Sequence, residues 1–151
     1  MSELIEEIPD DDYERIQAHC AKGEDYLADE QFAEAEAEFL KAFALVPEPK
    51  IFWRASMWIL ASLGEAYYWS GRRDEAEEAL EFALRCETGE ENAFVHGLYG
   101  VVLFDRGDFD GAGEHLLEAY KLAGPDSIPH DDPKYAAFLS ALPAFKALKP
   151  E

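Results

Sequence analysis

Large apolar residues fall along this chain at spacings of three and four, with small residues between them at fixed intervals. In the middle of the chain Leu60, Leu63 and Tyr67 are followed, after a short polar break, by Ala76, Leu80 and Ala83. This spacing puts the large residues on one stripe of each of two helices, which must pack together to bury it. The pattern occurs three times, each time as a glycine followed twelve residues later by an alanine and seven later by another. The triples are Gly23, Ala35, Ala42, then Gly64, Ala76, Ala83, then Gly100, Ala112, Ala119. Antiparallel helices approach closely only where a side chain at the crossing is nearly absent, so the small residues mark crossings. A lone glycine costs a helix about 1 kcal/mol against alanine, but three in one register point to packing. No stretch alternates with the period of a strand.

The breaks in this pattern predict a first hairpin with helices at about 12–29 and 32–46, the second stopped by Pro47 and Pro49. Asp10, Asp11 and Asp12 open the first helix with carboxylates at the positive end of its dipole. The next glycine arrives seven residues later than tandem spacing requires. Seven residues are nearly two helical turns, so one continuous helix over about 50–70 is predicted, with Trp53 lying against the first hairpin. Gly71 ends that helix, and Asp74 is expected to cap a return helix reaching about Cys86. A third pair is predicted at about 92–106 and 109–123. Gly124 to Pro129 then breaks the chain, and Asp132 with Pro133 starts a last helix at about 133–148, kinked or shortened by Pro143. Its apolar places are Tyr135, Phe138, Leu139 and Leu142.

Most remaining places of each unit fit one signature. The first runs His19-x-x-Lys22-Gly23-x-x-Tyr26, then Ala35-x-x-x-Phe39, closing at Pro47; the second runs Leu60-x-x-Leu63-Gly64-x-x-Tyr67, then Ala76-x-x-x-Leu80; the third runs His96-x-x-Tyr99-Gly100-x-x-Leu103, then Ala112-x-x-x-Leu116, with Pro125 after it. This resembles the tetratricopeptide repeat, a 34-residue helical hairpin that stacks into a right-handed solenoid. Covering about residues 16–126, the resemblance implies an all-α, right-handed α-solenoid of three hairpins plus a C-terminal capping helix. The expected division is an acidic lead-in at 1–11, hairpins over 12–126 (about 16–49, 57–90 with a helix extension at 50–56, and 93–126), and a loop with the capping helix at 127–151.

The resemblance also implies a scaffold for binding a protein or peptide, not a chemistry. First helices of such hairpins line the concave face. That nominates Gln17, Cys20, Glu24, Leu27 and Ala28, then Trp58, Ala61, Glu65, Tyr68 and Trp69, then Phe94, Gly97, Val101, Phe104 and Asp105, with Ile51 and Arg54 on the extension. The partner groove is expected at Glu24, Arg54, Trp58, Glu65, Tyr68, Trp69, Phe94, Val101, Phe104 and Asp105. Members that clamp a peptide's terminal carboxylate carry Lys, Arg and Asn at these places. Here the places are aromatic, apolar and acidic, so that clamp is absent unless Arg54 supplies a lone contact. An apolar segment carrying Lys or Arg suits them better. Two alternatives stand beside this: Trp58, Trp69 and Phe104 pack against neighbouring helices, or the last helix folds back into the groove.

Charge sharpens the picture. Thirteen Lys and Arg against 33 Asp and Glu give a net charge of −20, which repels nucleic acid and anionic membrane and steers a basic protein partner. The alternative is that acidity only confers solubility. The 151 residues, 48% hydrophobic, suffice for one domain with a core. No run of 18 apolar residues exists, and the acidic N-terminus is unlike a signal peptide, so a cytoplasmic location is expected. Cys20 and Cys86 are isolated and read as half-buried thiols. His19 and His96 occupy matching places and read as core histidines, and His130-Asp131-Asp132 as a solvated helix start. With no phosphate loop and no nucleophile elbow, no catalytic residue, cofactor or metal is expected: the chain reads as no enzyme.

The favoured class is a protein-binding module, of the immunity or antitoxin type, that neutralises or escorts a basic or apolar partner. The chain also resembles class II chaperones of type III secretion, small acidic three-repeat solenoids whose groove holds an extended apolar segment. It departs from them in lacking their longer N-terminal helical region, used for dimerisation; the oligomeric state stays open, with a monomer favoured. A third class is a scaffold that presents its acidic convex faces to other subunits. The runs Leu45-Val46-Pro47-Glu48-Pro49-Lys50, Trp58-Ile59-Leu60-Ala61 and Asp132-Pro133-Lys134-Tyr135 are similar to a set of bacterial tetratricopeptide proteins, which implies a bacterial source and nothing about the ligand.

Overall fold

A computed structural model describes residues 8–148; the first seven residues of the acidic lead-in and the last three of the chain lie outside the described residues. Eight α-helices follow one another: α1 Asp10–Ala28, α2 Phe32–Leu45, α3 Arg54–Trp69, α4 Arg73–Arg85, α5 Ala93–Asp105, α6 Phe109–Ala123, α7 Pro133–Ala141 and α8 Pro143–Leu148, with no strand among the described residues. α1 packs on α2, α3 on α4 and α5 on α6, and the hairpins stack through α2 on α3 and α4 on α5. α1, α3 and α5 also touch in sequence, so the first helices form one continuous layer. The result is an all-α helical solenoid.

The crossing residues explain why the hairpins close. A Cβ on Gly23 would lie 2.6 Å from Phe39, one on Gly64 2.7 Å from Leu80, and one on Gly100 2.7 Å from Leu116. Phe39, Leu80 and Leu116 hold the same place, four residues after the first alanine of each triple, and all are fully buried. A large side chain thus fills the space the glycine leaves, each burial contributing roughly 1.5–3 kcal/mol. The six signature alanines are also fully buried.

The turns repeat as well. Gln31, Arg72 and Asp108 donate their backbone N–H to the carbonyls of Tyr26, Tyr67 and Leu103 at 2.9, 2.8 and 2.9 Å. These are the six-to-one bonds of a Schellman ending, which needs a left-handed residue just before. Gly71 and Gly107 supply it, each at φ +87°, but the first hairpin uses Glu30 at φ +61°. A left-handed L-residue costs roughly 1–2 kcal/mol, offset in part by the extra chain entropy glycine loses on folding. Glu30→Gly is therefore expected to stabilise the protein by up to about 1 kcal/mol in denaturant titration; a loss of stability would mean the Glu30 side chain contributes more than its backbone costs.

The continuous helix over 50–70 does not form. Lys50–Phe52 make a 3-10 turn, Trp53 is extended (φ −114°, ψ 132°), and α3 starts at Arg54. Local polar bonds outcompete helix extension here. The Lys50 ammonium donates to the carbonyls of Phe43 and Val46 at 2.9 and 2.6 Å, closing the end of α2. The Ile51 carbonyl accepts from the N–H of Glu87 at 2.9 Å, tying this turn to the end of α4. Asp74 is likewise not a cap: α4 begins at Arg73, and Asp74 sits in its first turn, favoured there by the dipole. Asp132 caps α7 through the N–H of Lys134. The last helix is divided by Leu142, held extended before Pro143.

Polar side chains pin neighbouring hairpins together. Glu36, one residue after Ala35, accepts from Arg72 at 2.7 Å and from the Tyr67 hydroxyl at 3.1 Å. Glu77, one residue after Ala76, pairs with Arg106, which also reaches Asp74. Burial, and then Glu36, push the Tyr67 phenol up to about 12. Inside the first and third hairpins a polar pair replaces the Leu60 and Ala79 of the second: His19 with Glu38 at 2.8 Å, and His96 with His115 at 3.1 Å. His96 is core, as expected. Its Nε2–H donates to the Glu90 carbonyl, so its Nδ1 accepts from His115.

Candidate functional site

The first-helix layer divides into a closed part and an open part. The closed part lies over the third hairpin, where residues 127–139 cross the concave side. A Cβ on Gly97 would fall 2.5 Å from the Ser127 carbonyl oxygen and 2.8 Å from the Pro129 ring. This is a close approach that only glycine permits. Val101 and Tyr68 are buried there rather than facing a ligand, and Tyr135 is 1% exposed.

Asp105 is the polar centre of this closure. Its carboxylate accepts from the Tyr135 hydroxyl at 2.6 Å, the Tyr68 hydroxyl at 2.9 Å and the Arg73 Nε at 3.4 Å. A half-buried carboxylate is thereby satisfied within the chain, and it does not wait for a partner's cation. Burial first, then the bond to Asp105, pushes both phenols upward, Tyr135 most strongly, while the Tyr135 hydroxyl draws Tyr68 partly back. Phe104 packs edge-on against Phe109, Tyr135 and Phe138 at ring separations of 5.1–5.2 Å, so it belongs to the cap and not to a free groove. His130, expected in solvent at a helix start, is stacked on Trp69 at 5.1 Å and 28° and leans on Tyr135 at 4.7 Å. Its Nδ1 accepts from the Asp132 N–H. A shallow depression of about 520 Å³ remains beside Asp105, bordered by Tyr68, Arg73, Lys134 and Tyr135.

The open part lies between the first and second hairpins. Leu27, Ala28, Glu30, Phe32, Glu65 and Trp69 line a cleft of about 360 Å³. Trp69 is 45% exposed, and Trp58, further back on α3, is 51% exposed. Glu24 and Arg54 are exposed and Phe94 is half-buried against the core. The candidate residues therefore separate: Glu65 and Trp69 meet in the cleft with Glu24 near them, Trp58 and Arg54 stand free, and Tyr68, Val101, Phe104 and Asp105 lie under or within the C-terminal cap. The Cys20 thiol is pushed up to about 11 by burial and by Glu24, so it is a neutral thiol and no nucleophile at neutral pH.

Glu65 is half-buried, and desolvation, then the charge of Glu24, raise its carboxyl above the ordinary range. A raised carboxyl favours the fold most when protonated, below its unfolded value of about 4.3. That contribution is lost as pH rises through the higher folded value. Ionised Glu65 therefore costs stability at neutral pH. Glu65→Gln is expected to be more stable than the parent at neutral pH and to lose that advantage at acid pH, measured by thermal unfolding across the range. Equal stability at every pH would show that the carboxylate is not strained.

Among the described residues no group of three or more His, Cys, Asp or Glu gathers as a metal site would require, and no helix is long and apolar enough to cross a membrane. No curated protein matches the chain. A family profile described as tetratricopeptide repeat matches residues 61–127, running from within α3 through the second and third hairpins. Residues 61–127 are thus tetratricopeptide repeats, which serve as protein-interaction modules, and the first hairpin closes on the same glycine-to-large-residue crossing as the second and third.

Proposed function

We propose that this protein is a non-enzymatic binding module whose open cleft, between the first and second hairpins, holds a basic, apolar-flanked segment of a protein partner. The observation that carries this reading is exposed Trp69 meeting Glu65 in the cleft, with the charge of Glu24 acting on Glu65 and exposed Trp58 three turns before Trp69 on the same face of α3. Aromatic anchors dominate interface energies, and the net charge of −20 favours encounter with a basic protein. The favoured role is neutralisation of such a protein, in the manner of an immunity protein or antitoxin. The closure over the third hairpin supports it, because a short cleft suits a few cationic anchors better than the long extended segment a secretion chaperone holds. The same closure also favours a second reading, a scaffold that presents its acidic return helices instead.

A photo-reactive residue placed at exposed Ala28, in the cleft, or at Glu78, on a return helix, tests the two. Cross-linking in the source cells is expected from Ala28, to a basic protein, and to fade with rising salt, since exposed charges are screened beyond roughly 10 Å at 0.1 M. Adducts from Glu78 alone would reject the cleft in favour of the scaffold. Against the captured partner, Trp58→Ala and Trp69→Ala are each expected to weaken binding by more than about 1 kcal/mol with helical content unchanged. Normal binding with lower stability would make both residues structural.

A further inference from the structure

We infer that the cleft takes an arginine side chain, its guanidinium lying against the exposed part of Trp69 and between the carboxylates of Glu24 and Glu65. This rests on the cleft reading above and narrows it to one chemical group. Among the described residues, Glu65 is the exception to a rule the rest of the chain obeys. Every other buried or half-buried acidic residue has a cation: Asp12 has Arg15, Glu36 and Glu75 share Arg72, Glu38 has Lys41 and His19, Glu77 has Arg106, Asp105 has Arg73, and Glu118 has Lys121. Glu65 and its neighbour Glu24 make no ion pair or hydrogen bond with any described residue. Burial and the second carboxylate disfavour the ionised form of Glu65, and a cation brought to the cleft would relieve both.

The walls select which cation. His130 occupies one side of the Trp69 ring at 5.1 Å, nearly parallel, which holds the indole in place and shows that it accepts a planar nitrogen-bearing group. What remains exposed of that ring borders the cleft with Leu27, Ala28 and Phe32. A guanidinium is planar, stacks on indole, and offers a fork of N–H donors to two carboxylates, while its methylene stem covers apolar walls. An ammonium supplies charge without the plane or the fork.

The test uses the full chain and three peptides, Ac-Leu-Arg-Leu-amide and its citrulline and lysine counterparts, followed by the indole N–H signals of the tryptophans. The arginine peptide is expected to bind in the millimolar range and to move the Trp69 signal, with citrulline about tenfold weaker or more, since it keeps the shape and loses the charge. Lysine should fall between. Glu65→Gln should bring the arginine peptide down to the level of citrulline while thermal stability at neutral pH rises. Equal binding of citrulline, equal binding of lysine, a shift at Trp58 instead, or no shift at all overturns the assignment. If the peptides fail and a partner still cross-links from Ala28, only the arginine is wrong; if cross-links arise from Glu78 alone, the cleft is wrong with it.

Discussion

Truncating Leu80 to alanine is expected to lower the free energy of unfolding by about 2–5 kcal/mol, the range for a leucine removed from a packed core. Leu80 is fully buried in the middle hairpin and fills the space opposite Gly64, where a Cβ would sit 2.7 Å from its Cδ2. Two neighbouring hairpins lean on this one, so the loss should appear as lower cooperativity as well as a lower midpoint. Exposed Glu78→Ala, two residues away on the same helix, should change stability by no more than about 0.5 kcal/mol. The partner residue makes the argument sharper. Gly64→Ala alone should destabilise, because its new methyl meets the leucine. In the Leu80→Ala background the same methyl enters vacated space, and the better helix propensity of alanine, about 1 kcal/mol, should then win. The effect of one substitution changes sign with the other. Purely additive effects in urea titrations would show that Gly64 is small for some reason other than Leu80.

The crossings were legible because they are a repeated, local fact: three glycines in one register, each opposed by a large residue sixteen positions on. The turns and most helix ends followed from glycine, proline and capping residues. The misread segment at 50–53 failed because periodicity ignores partners. Lys50 reaching back to the carbonyls of Phe43 and Val46 is a polar bond that apolar spacing does not read, and Ile51 bonded to Glu87 is a contact that no local window contains. The site divided for a similar reason. Asp105 and Phe104 occupy groove positions by repeat register, but their partners Tyr135, Phe138 and Arg73 come from elsewhere in the chain. One signal did point to the closure. Gly97 is a glycine on the concave side of α5, at a place the hairpin itself does not require to be small, and the chain segment that needs it is Ser127–Pro129.

Gly97→Leu is accordingly expected to lift that segment off the third hairpin without unfolding the hairpins beneath. The new Cβ would lie 2.5 Å from a backbone oxygen, which cannot rotate away as a side chain would, so the strain falls on the whole strap. Overpacking of this kind costs about 1–3 kcal/mol, occasionally more. Tyr135→Ala should reach the same state by the opposite route, losing a ring that is 1% exposed and its bond to Asp105, a change worth about 3–5 kcal/mol. Both variants should show fast amide exchange confined to residues 127–148 and a more solvent-exposed Trp69, which loses its stack with His130. Exchange that rises equally through α1–α6 would mean the strap and the hairpins unfold together, and the closure would then be core and not a cover. If the strap does lift, Tyr68, Phe104 and Asp105 become concave surface again, and the cleft lengthens across the third hairpin. A partner that holds only the first two hairpins should still bind these variants, weakened only by the loss of His130 behind Trp69, as the neutralising role requires. Markedly tighter binding of a long apolar segment would instead turn the reading toward a chaperone whose groove is covered by its own C-terminal strap.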